Sequence, residues 1–85
     1  MITANQLRAA RALLGLDQRR LSALAGLSLP TIQRMEASKN LVRGNVDSLT
    51  KLIAALEKAG VELLAENAAS SGGGRGVRLK PARAP

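Results

Sequence analysis

The chain has 85 residues and a net charge of +7, and 46% of it is hydrophobic with no aromatic residue. That is the length of one domain, and a core limited to Leu, Ile, Val, Ala and Met favours a small helical bundle over a sheet. The chain has no Cys and no His, which excludes disulfides, thiolate nucleophiles, the commonest metal sites and the most frequent general base.

Thr3 precedes the first helical pattern and can cap its free N–H groups. Leu7, Ala10 and Leu14 recur at helical spacing and predict one buried face, with Gly15 as the stop. Asp17 is the next cap, for a helix from Gln18 to about Ala25 that turns Leu21 and Ala25 inward and ends at Gly26. Ser28 caps a third helix. Pro30 fits its first turn, where a missing N–H costs little, and Ile32 and Met35 face inward while Gln33 and Arg34 do not. Ser38 to Asn45 is a loop by its Asn, Gly and Ser content. Asn45 or Asp47 caps a fourth helix carried by Val46, Leu49, Leu52, Ile53 and Leu56, which Gly60 ends.

Beyond Gly60 the composition changes. Val61 to Leu64 is a short apolar stretch, and Val77, Arg78 and Leu79 alternate like a strand. Between them Asn67 to Gly76 is a polar, glycine-rich connector, and Pro81 onward reads as disordered. The expectation is a mainly α fold: a four-helix domain over 1–60, a strand pair or hairpin over 61–80 and a tail over 81–85. A lone hairpin of this size is not stable in water, so it must lean on the bundle or on a second chain.

Two short helical patterns thus meet at Gly26, with one helix start at Gln18 and the next at Ser28. A helix-turn-helix has this spacing, and it serves to place one helix in the DNA major groove. Charge points the same way. Residues 1–66 carry nine basic and six acidic side chains, net +3, and residues 67–85 carry Arg75, Arg78, Lys80 and Arg83 with no acid, net +4. A basic domain with a basic tail suits an anionic partner, most often nucleic acid, or is simply a soluble protein with a charged end.

Residues 4–57 resemble the DNA-binding domain of the phage-repressor (Cro/cI, or XRE) family of helix-turn-helix regulators. The resemblance rests on L-R-A-A-R-A-L-L-G-L at 7–16, Gln18, Leu21, Ala25-Gly26-Leu27-Ser28, Ile32, Glu36 and the stripe from Leu49 to Leu56. It implies a compact helical domain whose third helix lies in the major groove, with Leu29, Pro30, Gln33 and Arg34 as candidate base readers. A guanidinium can give two hydrogen bonds to guanine; a phosphate contact or a solvated arginine is the other reading of Arg34. Gln33 suits adenine or stands exposed, and Leu29 and Pro30 touch a thymine methyl or only start the helix. The family position of Gln18 holds a phosphate and braces the third helix. Ser28, Thr31, Arg19, Arg20, Lys39 and Arg43 are the remaining candidates for backbone contact. Arg11 and Glu36 are expected to form a partly buried structural ion pair.

Three departures from the family pattern stand out. Ser22 replaces a small alanine, Arg20 stands where an acid is common, and the fifth helix after Leu56 is replaced by the hairpin candidate. The hairpin residues Val61, Leu63, Val77 and Leu79 therefore become the expected dimer or partner surface.

The leading expectation is a sequence-specific DNA-binding regulator, a homodimer on a palindromic operator of double-stranded DNA. The alternative is a protein-interaction module, an antitoxin or an adaptor, with Leu13 and Leu24 as further outward apolar residues. An enzyme is not expected. The six acids are spread out, and Gly72 to Gly76 lacks the following helix and lysine of a phosphate loop. No cofactor or metal is expected. No apolar run reaches the roughly 20 residues of a membrane span and no signal peptide is visible, so the expected setting is the cytoplasm, at the nucleoid.

Overall fold

The computed structural model describes residues 2–66 and 72–81. Residues 67–71 of the connector and residues 82–85 of the expected tail, Arg83 included, lie outside the described residues. Four helices come first: α1 (Ala4–Leu14), α2 (Gln18–Ala25), α3 (Leu29–Glu36) and α4 (Val46–Ala59). Two strands follow, β1 (Val61–Leu64) and β2 (Gly76–Leu79).

Each helix starts at a short polar cap: Thr3, Asp17, Ser28 and Asn45 accept from backbone N–H groups three residues on. Between Asn45 and Asp47, the cap of α4 is Asn45. At Thr3 the cap is reciprocal, because the Gln6 side chain accepts from the Thr3 N–H at 2.9 Å. Gly15 and Gly26 end α1 and α2 with φ of +67°, a left-handed conformation that strains any residue with a Cβ. The tight α2–α3 turn depends on the second of these.

The core gathers Leu7, Ala10, Leu21, Ile32, Met35, Leu49, Leu52 and Leu56 from all four helices. The loop between α3 and α4 adds Val42, whose N–H donates to the Ile2 carbonyl at 2.9 Å, while Leu41 bridges to Thr3. That loop is therefore bound to the start of α1. Val46, expected to help carry α4, is 77% exposed instead. It is the first residue after the cap and falls outside the buried stripe of Leu49, Leu52 and Leu56.

The strands form an antiparallel pair with Val61 opposite Leu79, Glu62 opposite Arg78, Leu63 opposite Val77 and Leu64 opposite Gly76. The hairpin leans on the bundle. Leu63 and Val77 pack against the core, and Val61 belongs to it, fully buried. Its polar anchor is Gln6 of α1, whose Nε2 donates to the carbonyls of Leu64 at 3.0 Å and Gly76 at 2.9 Å. Glu62 and Arg78 pair across the two strands.

Candidate nucleic-acid interface

α3 has eight residues, too few to be stable alone, so its position comes from what it buries. Ile32 and Met35 are 0% and 1% exposed and anchor one face. Pro30, Gln33 and Arg34 are thereby turned to solvent, with Leu29 and Thr31 half-buried.

A polar network locks the same helix from behind. Glu36, buried at the end of α3, accepts from Arg11 Nε at 2.7 Å and Arg11 Nη2 at 3.1 Å. Gln18 Nε2 adds a third donor at 3.1 Å. Arg11 Nη1 also reaches the Leu16 carbonyl at 3.1 Å, in the turn between α1 and α2. One carboxylate thus ties α1 and the start of α2 to α3. Two-pronged pairing of guanidinium and carboxylate fixes orientation as well as energy. The hydrogen bond to Glu36 raises the Arg11 pKa above the ordinary arginine value, against partial desolvation, with the charges of Glu36 and Asp17 adding to it. Among the described residues no buried side-chain polar atom lacks a partner.

Arg8 was not singled out from the sequence. It donates to the Glu36 carbonyl and to Asn5 Oδ1 and so caps the C-terminal end of α3. The available signal was its spacing from Arg11, three residues apart on one helix face. Gln18 opens α2 and spends its amide N–H on Glu36, so it braces α3 directly.

Arg19 and Arg20 stand exposed on the first turn of α2. Arg34, Lys39 and Arg43 line one open hollow with Ser38 and Asn40. Thr31, Arg34 and Arg43 share a second with Asn45 and Ser48 at the start of α4. Asn45 and Ser48 were missed as site neighbours because only the folded loop brings α4 beside α3. Among the described residues none of Arg19, Arg20, Arg34, Lys39 and Arg43 has a carboxylate partner, whereas Lys51, Arg75 and Arg78 each do. Ser28 caps α3 and its hydroxyl lies 2.8 Å from that of Thr31.

The expected partner surface needs one correction. Val61 is fully buried, because β1 turns it into the core between the helices, and it cannot meet a partner. Leu63 and Val77 are half-buried against that core, and Leu79 is 49% exposed. Leu13 and Leu24 do point outward. Among the described residues no helix is long and apolar enough to cross a membrane.

A family model described as Helix-turn-helix matches residues 7–63, about two-thirds of the chain. No curated protein matches it. With four helices in this order and α3 presented as a braced, outward-facing cylinder, the chain belongs to the helix-turn-helix family of DNA-binding regulators, of the XRE, Cro/cI-like kind.

Proposed function

We propose that this protein binds specific DNA sequences as a homodimer, regulating transcription from a palindromic operator with α3 in the major groove. The observation that carries the reading is the pairing of an exposed α3 face with flanking cations that no carboxylate among the described residues neutralises. Unpaired cations around a protruding helix suit the phosphates on either side of a groove. In this reading Leu29, Pro30, Gln33 and Arg34 meet base edges. Gln18, Arg19, Arg20, Ser28, Lys39 and Arg43 meet the backbone, and Arg11 with Glu36 holds the helix.

The dimer follows from information content and from the hairpin. One recognition helix reads only a few base pairs, too few to select a site in a genome. A two-fold pair doubles the site and spaces its halves about one helical turn apart. The Lys80 N–H donates to the Gly60 carbonyl at 2.8 Å. Hydrogen bonding alternates along an antiparallel ladder, so the backbone groups of Val77 and Leu79 point away from β1. That outer edge of β2 is a template for a strand from a second copy, and Leu79 lies half-exposed along it.

A second reading, an antitoxin or adaptor, draws on exposed Leu13, Leu24 and Leu79. Selection from a random DNA pool at two salt concentrations separates the two. A palindromic consensus with salt-sensitive affinity supports the regulator. Absence of any enriched sequence, with a foreign protein bound stoichiometrically, supports the interaction module.

A further inference from the structure

Three hydrogen-bonding side chains stand in register along α3 and its cap, each three residues from the last: exposed Ser28 and Arg34, with half-buried Thr31 between them. Arg34 Nη2 donates to Thr31 Oγ1 at 3.4 Å. Thr31 Oγ1 lies 2.8 Å from Ser28 Oγ, and Ser28 Oγ accepts from the Thr31 N–H at 3.2 Å. We infer that Thr31 is a positioning residue for Arg34, aiming its guanidinium along the outer face of α3 and so setting which base pair the protein discriminates. This rests on the reading of Arg34 as a base contact and names what orients it.

A hydroxyl that accepts from a cation still has its own proton to donate. Thr31 Oγ1 accepts from Arg34 and shares a hydrogen bond with Ser28 Oγ in which either hydroxyl can donate, while Ser28 Oγ also accepts from the Thr31 N–H. The other neighbours of Arg34 in the hollow do not compete as ionic acceptors: Arg43 repels it, and Met35, Gly44, Asn45 and Ser48 carry no charge. Glu36 is buried and held by Arg11 and Gln18. An arginine that is aimed before binding gives up less freedom on forming a two-pronged contact with guanine than a freely rotating one. This role differs from the direct phosphate contact that a hydroxyl at the start of α3 also suits.

The test compares wild type, Arg34→Ala, Thr31→Val and Thr31→Ser on an operator recovered by selection and on every single-base variant of it. Circular dichroism checks that each protein is folded. Arg34→Ala should lower discrimination at one base pair per half-site by roughly 10- to 100-fold. Thr31→Val keeps the shape and removes the acceptor, so it should lower discrimination at that same pair by roughly three- to tenfold. Thr31→Ser should restore it. Position-specific loss with Arg34→Ala and an equal loss across all variants with Thr31→Val would make Thr31 a phosphate contact and overturn the inference alone. Uniform loss with Arg34→Ala would overturn the base-reading role of Arg34, and the inference with it.

Discussion

Arg11 and Glu36, 25 residues apart in the chain, meet through two hydrogen bonds of 2.7 and 3.1 Å at the rear of α3. Glu36 is the more buried partner, with a side chain 6% exposed against 25% for Arg11. Removing one partner strands the other. Glu36→Ala or Arg11→Ala should each destabilise the fold by about 3 kcal/mol, the lower end for broken buried pairs because Arg11 keeps some solvent. The double variant should lose clearly less than the sum. Urea unfolding of the three proteins measures this. The raised Arg11 pKa contributes stability that is complete below the ordinary arginine value and lost only above it. The arginine side of the pair should therefore show no titration near neutral pH.

The hairpin is held to α1 by one amide. Gln6 is 5% exposed, and its Nε2 serves two strand carbonyls. Gln6→Ala should cost about 1–2 kcal/mol, since two part-buried carbonyls lose their donor. Hydrogen exchange should quicken in β1 and β2 and stay unchanged in α2 and α3. Uniform exchange rates across the variant would show that the amide does not hold the hairpin.

Arg19, Lys39 and Arg43, which have no carboxylate partner among the described residues, should each neutralise one phosphate. Arg19→Ala, Arg43→Ala and Lys39→Ala should each reduce the slope of log affinity against log salt by about one, with little change in sequence preference. Lys51, paired with Asp47 at 3.3 Å on α4, is the control. Lys51→Ala should leave the slope unchanged, and an equal effect there would mean that binding follows total charge.

The outer edge of β2 can be blocked without touching the inner ladder. The Leu79 N–H points away from β1, so Leu79→Pro removes only an outward donor. Sedimentation equilibrium should then show a monomer whose unfolding transition is nearly that of wild type. A dimer that persists would move the interface elsewhere, to Leu13 or Leu24.

Much of this fold is legible in the sequence because its boundaries are local. Thr3, Asp17, Ser28 and Asn45 each stand directly before an apolar helical stripe, and Gly15 and Gly26 directly after one. The bracing of α3 is legible only through family resemblance, since nothing local brings Arg11 to Glu36. Gln6, like Arg8, carries no local signal for its role. It reads as an ordinary first-turn glutamine, yet its partners lie 58 and 70 residues away. Sequence alone puts Val61 on the surface because alternation along a short strand defines two faces without saying which is inward. The sequence-based loop from Ser38 to Asn45 likewise hid Val42, one apolar residue among polar ones, which the start of α1 draws into the core.

The central claim is that α3 enters the major groove, and methylation interference on a selected operator tests it most directly. Guanine N7 faces the major groove and adenine N3 the minor groove. Methyl groups at guanine N7 in both half-sites should abolish binding, and this sensitivity should vanish at one pair per half-site in Arg34→Ala. Interference confined to adenine N3 would contradict the account.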